Sequence, residues 1–182
     1  LIVKAGYDFP ATLERIFAEW NLDLYTIRES DRPSARGRIT YAEDASDRKY
    51  QRLTSPMPST VQDIESANMI AAVSFHFFDT AAAVSAQIDE IAATRVQQGI
   101  QSRPFYVWEP QAKSCSAETF EDHRAAVKHV DIFSPNHAEL ASFFTASTGS
   151  AVVFDKSDIE RQARAFVPST ISQPLCILIR CA

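Results

Sequence analysis

Glycine is scarce in this sequence of 182 residues, and its scarcity excludes the common glycine-rich nucleotide sites. The glycines are Gly6, Gly37, Gly99 and Gly149, and no two of them are close together in the sequence. A dinucleotide fingerprint or a P-loop needs closely spaced glycines, because the backbone must approach a phosphate there. The chain therefore contains neither motif, and any phosphate site in it must be built in another way.

Cysteine and long apolar runs are also scarce. The three cysteines, Cys115, Cys176 and Cys181, form no paired spacing, which is typical of reduced thiols in a cytosolic protein. The longest apolar stretch, 69–78, is interrupted by polar side chains and is about half the roughly 20 residues that a membrane-spanning helix needs. We therefore expect a cytoplasmic protein without a membrane segment.

The chain has no excess of basic residues. It carries 18 Lys and Arg against 23 Asp and Glu, a formal net charge of −5 at pH 7 with neutral histidine. This balance disfavours nucleic acid and anionic membrane surfaces as partners. Hydrophobic residues make up 46% and charged residues 23% of the chain, so we expect one ordinary domain with a packed core.

Strand patterns alternate with helix patterns along most of the chain. Short apolar segments typical of buried strands lie at 1–3, 69–78, 105–108, 130–133 and 175–179. Between them lie helical stripes that we expect to be core, notably Leu13, Ile16, Phe17 and Trp20 early in the chain and Leu140, Phe143 and Phe144 later. This alternation predicts a doubly wound α/β fold, in which helices cover both faces of a parallel sheet, with a small β flap.

The polar residues that follow the predicted strands are candidate site residues. In parallel α/β sheets, ligands bind beyond the carboxyl ends of the strands. Glu109 follows the strand at 105–108, and Asn136 and Glu139 follow the strand at 130–133. Each also has a simpler interpretation: Asn136 can be a helix N-cap with Glu139 as its capping partner, and Glu109 can be a solvated carboxylate.

The segment 130–144, VDIFSPNHAELASFF, resembles the strand, turn and helix that carry the P-N-x-x-E motif of ribokinase-like (pfkB-type) carbohydrate kinases. Further segments resemble the fungal branch of this family in family order, and they lie at 8–10, 34–41, 53–56, 74–77 and 107–110. The resemblance implies a three-layer α/β fold with a mostly parallel sheet and a small β lid at about 22–54. It also makes residues 1–182 a single partial kinase domain that looks truncated at both ends.

The resemblance implies transfer of the γ-phosphoryl group of ATP to a hydroxyl of a sugar or sugar-like substrate, with Mg²⁺ as cofactor. Asn136 and Glu139 match the family's Asn and Glu, which organise magnesium, its waters and the phosphates, with Glu139 on the metal. Glu109 would assist on the same side. Arg36 and Arg38 of the lid would reach the substrate, although arginines on an exposed hairpin are usually solvated. Family lids often pair between subunits, so a homodimer through the lid is a further expectation.

Two family elements are absent from the sequence. It has no early glycine pair for the sugar and no glycine-rich G-A-G-D element, whose N–H groups hold developing phosphate charge and whose Asp takes the hydroxyl proton. No catalytic base is therefore assigned, and we expect residues 1–182 to be inactive alone. A non-catalytic binding or scaffold module is the alternative, and another Rossmann-like enzyme is a weaker one because the glycine fingerprint is missing.

Overall fold

The computed structural model describes residues 1–21, 23–41, 48–145, 155–167 and 175–180. The chain divides into two compact units, Leu1–Ile70 and Ala71–Ala182. The sequence-based expectation of a single partial kinase domain stays a prediction.

The first unit combines short strands with short helices. Its described elements are β1 (Ile2–Gly6), α1 (Ala11–Glu19), β2 (Tyr25–Glu29), β3 (Gly37–Tyr41), β4 (Arg48–Arg52) and α2 (Val61–Ser66). β1 and β2 pair in parallel, whereas β3 and β4 form an antiparallel hairpin. Within the predicted lid at 22–54, β2 thus belongs to a sheet with β1, whereas β3 and β4 pair with each other. Residues 22 and 42–47 of this prediction lie outside the described residues.

The apolar stripe of α1 is not buried. Leu13, Ile16 and Trp20 are each more than a third exposed, and α1 contains no buried residue. The stripe packs mainly on itself, because the Phe17 ring lies 6.2 Å from that of Phe9 and 5.2 Å from that of Trp20. The prediction that this stripe is core is therefore wrong for the first unit. The physical reason is that a sheet formed by β1 and β2 offers too little apolar surface to bury the stripe of α1.

The second unit is built on a parallel sheet. Its described elements are β5 (Ser74–Asp79), α3 (Ala81–Gln97), β6 (Phe105–Pro110), α4 (Phe120–Val127), β7 (Ile132–Phe133), α5 (His137–Ser142), α6 (Lys156–Arg164) and β8 (Cys176–Ile177), with short 3₁₀ turns at Ala112–Ser114 and Ala117–Thr119. The strands lie in the order β5-β6-β7-β8, and every pair is parallel. Across the part of the chain that the structure describes, no helix is both long and apolar enough to cross a bilayer.

The strand order places the connecting helices on one face of this sheet. Along the chain, each strand lies next to the previous one and parallel to it, and the sheet grows towards one edge. Right-handed crossovers between such strands place the connecting helices on one face of the sheet. Phe77, Trp108 and Phe133 are buried on the helix side, whereas Phe78, which alternates with them, is 64% exposed. The described helices of this unit therefore cover one face of its sheet.

The core of the second unit is a cluster of aromatic rings. The Trp108 ring lies 4.9 Å from that of Phe133 and stacks on His123 at 5.3 Å. Phe166, which follows α6, lies 5.1 Å from Phe133. The Trp108 indole N–H donates to the carbonyl oxygen of Asp79 at 2.9 Å, so this buried polar atom is satisfied.

The later apolar stripe joins this core, as predicted. Leu140 of α5 and Phe143 just after it are buried, whereas Phe144 lies at the edge of the cluster. The ring of Phe120 from α4 packs edge-on against that of Phe144, with centroids 5.3 Å apart. This stripe is buried because it faces both the sheet and the neighbouring helices.

His123 is held in this core as a neutral imidazole. Its Nδ1 lies 2.8 Å from the carbonyl oxygen of Thr119, so Nδ1–H donates to that oxygen. Burial lowers the pKa of His123 from its usual 6.5, because desolvation disfavours the charged ring, although the Thr119 hydrogen bond and the charge of Asp122 act in the opposite direction. Protonation of His123 therefore opposes folding.

We expect the free energy of unfolding to fall as the pH is lowered from about 7.5 to about 5.5. The unfolded histidine takes up a proton near its ordinary pKa of about 6.5, and the folded one only at lower pH. The stability is therefore complete above the unfolded pKa and is lost as the pH falls through it towards the folded pKa. Urea denaturation followed by circular dichroism at both pH values measures this loss.

Replacement of His123 by phenylalanine keeps an aromatic ring in the cluster and should remove most of this pH dependence. His129→Gln, at an exposed histidine, is the matched control and should retain the wild-type dependence. If His123→Phe lost as much stability on acidification as the wild type, the assignment to His123 would be wrong.

β1 ends at Gly6, directly against the backbone of the segment before the hairpin. A Cβ on Gly6 would lie 2.5 Å from the Arg32 carbonyl oxygen and closer still to the Ser34 nitrogen. Gly6 N–H donates to Ser34 Oγ at 3.0 Å, and Tyr7 N–H donates to the Arg32 carbonyl oxygen at 3.1 Å. Ser34 N–H donates to the Asp8 carboxylate at 2.7 Å, and this bond is the main cause that lowers the pKa of Asp8.

We expect Gly6→Ala to destabilise the first unit by about 2 kcal/mol, because backbone atoms would have to move to admit the methyl group. Hydrogen exchange of peptides from 1–41, followed by mass spectrometry, measures the loss locally. Gly99→Ala is the matched control: Gly99 has a φ of +73° and its added Cβ meets open space, so only backbone strain of about 1 kcal/mol is expected, near α3. Unchanged protection of 1–41 in Gly6→Ala would contradict the close approach.

Candidate functional site

The carboxyl ends of the strands in the second unit bring several polar residues to one edge of the sheet. Glu109 lies near the end of β6, and Asn136 follows β7 at the start of α5. Arg180 follows β8 and forms a parallel bridge with Asn136. Arg180 N–H donates to the carbonyl oxygen of Pro135, and His137 N–H donates to that of Arg180, both at 3.1 Å. These bonds hold the segment after β8 beside the start of α5.

Asn136 and Glu139 form a capping box at the start of α5. Asn136 Oδ1 accepts from Glu139 N–H, and Glu139 Oε2 accepts from Asn136 N–H, both at 2.8 Å. Asn136 has the extended backbone of an N-cap, with φ −80° and ψ 169°. The capping interpretation of both residues is therefore correct.

The cap uses half of the polar atoms of these two side chains. Asn136 Nδ2 and Glu139 Oε1 have no hydrogen-bond partner among the residues that the structure describes. Glu139 is buried apart from a small exposed fraction, and Asn136 is half-buried. A donor and an acceptor therefore remain at this edge in a fixed arrangement.

Arg180 links two carboxylates at this edge. Its Nη1 lies 2.6 Å from Glu109 Oε2, and its Nη2 lies 3.7 Å from Glu139 Oε2. Nη2 also donates to the carbonyl oxygen of Ser134 at 3.0 Å. One guanidinium thus offsets the charge of both acids and ties β6 to the segment after β8.

Glu109 also contacts His76 of β5. His76 Nε2 lies 3.2 Å from Glu109 Oε1, so each carboxylate oxygen of Glu109 has a separate partner. His76 is more than half exposed, whereas Glu109 is about a quarter exposed. Glu109 is therefore held in place at the same edge of the sheet as Glu139, with Arg180 between them.

The negative charge of Glu139 also affects the pKa of the Cys115 thiol. Burial, together with the negative charge of Glu139, raises the pKa of the Cys115 thiol to about 12. The thiol therefore stays protonated at neutral pH and is not a nucleophile.

The cluster suits a hydrated metal better than a directly ligated one. Within the described ranges, no three His, Cys, Asp or Glu side chains converge so that they could hold a metal ion. Magnesium at phosphate sites keeps several waters and takes other ligands from the phosphates, so it needs few protein ligands. Glu139 Oε1 is an acceptor suited to such waters, and the residues present fit magnesium in that form.

Arg36 and Arg38, which the resemblance assigns to the substrate, lie in the first unit. Arg36 Nη2 pairs with Asp8 Oδ2 at 2.6 Å, and Arg36 N–H donates to Thr54 Oγ1 at 2.7 Å. Arg36 thereby links the segment after β1 to the segment after β4. Arg38 lies within β3, and its side chain is exposed. The predicted site residues are thus divided between the two units.

Sequence reasoning missed Arg180 and His76 as members of the cluster. Arg180 follows β8, so the rule that identified Glu109 from its place after a strand applies to it equally. The His76 contact depends on the register between β5 and β6, which sets Phe78 opposite Glu109. No local sequence signal specifies that register.

Two curated relatives are similar to the chain in sequence. It is 28% identical over 170 residues to an uncharacterized protein of Schizosaccharomyces pombe, covering 92% of this chain and 43% of that protein. It is 28% identical over 153 residues to the protein MAK32 of Saccharomyces cerevisiae, covering 81% and 42% respectively. The chain thus spans less than half the length of these relatives. No protein-family model matches it.

Solved structures of sugar and nucleoside kinases share the fold. Ribokinase from Giardia lamblia superposes with a TM-score of 0.64 at 17% identity, over 98% of this chain and 51% of that one. Adenosine kinase from Anopheles gambiae, in complex with P1,P4-di(adenosine-5) tetraphosphate, gives 0.66 at 11% identity, over 99% and 52%. Fructokinase from Xylella fastidiosa with bound ATP gives 0.55 at 16% identity, over 100% and 56%. At these identities the likeness concerns the fold: the chain has the ribokinase-like α/β fold with a mostly parallel sheet, over about half the length of such chains.

We expect Glu109 and Arg180 to be coupled by about 1 kcal/mol in a double-mutant cycle of unfolding free energy with Glu109→Gln and Arg180→Met. The bond is short and Glu109 is largely buried, but the Arg180 side chain is 43% exposed, so solvent screens part of the attraction. The control pair is Lys156 and Glu160 on α6, 3.8 Å apart and largely exposed, for which at most about 0.3 kcal/mol is expected. A coupling at Glu109 no larger than that of the control pair would contradict the link.

Proposed function

We propose that this chain forms the part of a ribokinase-like kinase that carries the magnesium and phosphate side of the active site. The observation that carries the proposal is the capping box of Asn136 and Glu139 beyond β7, which leaves Asn136 Nδ2 and Glu139 Oε1 available at the sheet edge. The fold shared with sugar and nucleoside kinases and the P-N-x-x-E resemblance support the same assignment.

Each side chain has one task in this proposal. Asn136 Nδ2–H would donate to a phosphate oxygen of the nucleotide, and Glu139 Oε1 would accept hydrogen bonds from the waters of a hydrated magnesium ion. Magnesium, when bound, would neutralise part of the charge on the phosphates. The capping bonds fix both side chains before the ligand arrives, so little reorganisation is needed when charge develops during transfer.

Arg180 makes the site electrostatically acceptable to a polyanion. Without it, Glu109 and Glu139 would place two negative charges beside the phosphates. Its guanidinium, 2.6 Å from Glu109 and 3.7 Å from Glu139, offsets that repulsion. Arg180 is a positioning residue in this proposal, and Glu109 holds it in place.

The phosphoryl donor in this proposal is ATP, and the acceptor is a hydroxyl of a sugar or sugar-like molecule. Arg36 and Arg38 would contact that substrate, the β3–β4 hairpin would act as a lid and could pair in a homodimer, and the protein would be cytoplasmic. The sequence lacks the glycine pair and the G-A-G-D element, so residues 1–182 would be inactive alone. A non-catalytic binding or scaffold module is the alternative.

The first measurement is the intact mass of the protein as its source organism makes it, isolated with an antibody against this region. We expect a mass well above 20.3 kDa, because the chain spans less than half of its curated relatives. Peptides beyond residue 182 should then include a glycine-rich element followed by Asp. A mass near 20.3 kDa would contradict the kinase proposal and favour the non-catalytic module.

In the natural protein, we expect Glu139→Gln to lower kcat for ATP-dependent phosphorylation by about 100-fold, because a neutral amide holds the waters of magnesium poorly. A coupled assay over sugars and nucleosides first identifies an acceptor, and kcat and KM for MgATP are then measured. Asp155→Ala is the matched control: it removes the N-cap bond of α6, in which Asp158 N–H donates to Asp155 at 2.9 Å, and should leave kcat within about twofold.

Two outcomes would count against the proposed role of Glu139. An unchanged kcat in Glu139→Gln would remove it from the site, and an equal loss in Asp155→Ala would mean that helix stability alone is measured. Absence of phosphorylation of every acceptor by the natural protein would favour the non-catalytic module.

A further inference from the structure

A serine followed by a proline occurs twice in the sequence, and the structure exposes one of the two copies. Ser134, which precedes Pro135, follows β7 and is 3% exposed, so it is closed to a modifying enzyme. Ser55 and Pro56 lie between β4 and α2, in a segment at 53–60 without regular secondary structure, and both residues are exposed. Ser55 is thus the member of the pair that another enzyme can reach.

The hydroxyl of Ser55 is free, unlike that of the residue before it. Thr54 Oγ1 donates to the carbonyl oxygen of Ser34 at 2.8 Å and accepts from Arg36 N–H at 2.7 Å. Leu53 N–H donates to the carbonyl oxygen of Arg36 at 2.9 Å. Ser55 itself makes no hydrogen bond within the described part of the chain. Its hydroxyl is therefore presented by a backbone that is fixed on the amino side.

Arg32 holds the carboxyl side of Ser55. Its Nη2 donates to the carbonyl oxygen of Pro56 at 3.0 Å. The guanidinium of Arg36 is already paired with Asp8 at 2.6 Å, whereas Arg32 forms no ion pair with any residue that the structure describes. A guanidinium without a counter-ion therefore binds the residue next to an exposed hydroxyl.

The residue after Ser55 favours one class of protein kinase. Proline has no N–H, so it suits a kinase pocket that offers no hydrogen-bond acceptor to the residue after the acceptor serine. We propose that Ser55 is phosphorylated by a proline-directed serine/threonine protein kinase and that its phosphate pairs with Arg32. A phosphoserine carries a charge of about −1.5 to −2 at neutral pH, which a guanidinium can bind through two parallel hydrogen bonds.

The transfer consumes ATP and changes the links within the first unit. A bond forms between Ser55 Oγ and the γ-phosphorus of ATP while the bond from that phosphorus to the β–γ bridging oxygen breaks; ADP leaves, and the hydroxyl proton passes to the catalytic Asp of the protein kinase. Because the carbonyl oxygen of Arg32 accepts from Tyr7 N–H at 3.1 Å, the new ion pair connects 53–56 to the segment against which β1 ends. This inference does not depend on the proposed function.

Phosphorylation is tested on the full-length natural protein with ATP and a purified proline-directed kinase, and peptides from 1–182 are followed by mass spectrometry. We expect one phosphate, on Ser55, and none when the kinase is omitted. Ser55→Ala should abolish this phosphate, and Pro56→Ala, which keeps the carbonyl oxygen that Arg32 binds, should slow its addition at least tenfold. Ser59→Ala, at an exposed serine of the same segment, is the matched control and should react as the wild type does. An unmodified Ser55 in the wild type, or an undiminished rate in Pro56→Ala, would overturn the proposal.

The pairing with Arg32 is tested by ³¹P NMR of the phosphorylated protein as the pH is varied. We expect the pKa of the phosphate to lie below that of the same phosphate on a peptide of residues 50–60, because a guanidinium favours the dianion. Arg32→Met should raise this pKa to the peptide value, with circular dichroism confirming the fold. Arg15→Met, at an exposed arginine on α1, is the charge-matched control and should keep the wild-type value. An equal pKa in the wild type and the peptide, or in the wild type and Arg32→Met, would overturn the pairing.

Discussion

Right-handed crossovers between parallel strands are the constraint on which the second unit depends. Because β5, β6, β7 and β8 are added in order in one direction, their carboxyl ends meet at one edge and the connecting helices end at the other. The first edge collects Glu109, Asn136 and Arg180 into one ion-paired cluster. The second edge collects the ends of α3 and α4 and the loop at 100–104. The parallel strand order therefore places these two groups of residues at opposite ends of the sheet.

The same two residues serve as a helix cap and as the match to a kinase motif, and these roles do not compete. Asn136 and Glu139 each have two polar side-chain atoms at their ends, and the cap uses one of each. The bonded atoms hold the remaining atoms in place, so local stability and a fixed site come from one arrangement. A helix-capping residue can therefore be part of a binding site without any cost to the helix.

Sequence patterns predicted the features that depend on neighbours in the chain. The three-residue spacing of Asn136 and Glu139 indicated their cap, and the stripe that includes Leu140 indicated buried residues, since both depend on a single helix. Features that depend on distant segments were not predictable. The contact of Glu109 with Arg180 requires the order of β6, β7 and β8, and the exposure of Leu13 depends on how little sheet lies beneath α1, which amphipathic spacing does not report.

The face of the second unit's sheet that the described helices leave exposed has a thermodynamic consequence. Phe78, Phe105 and Leu178 on this face are 64%, 46% and 52% exposed in the folded chain, so their hydration changes little when the chain unfolds. The heat capacity change of unfolding arises mainly from newly hydrated apolar surface. For this unit it is therefore smaller than for a sheet of equal size covered on both faces. A smaller heat capacity change gives a flatter stability curve, so we expect the free energy of unfolding of this unit to vary less steeply with temperature.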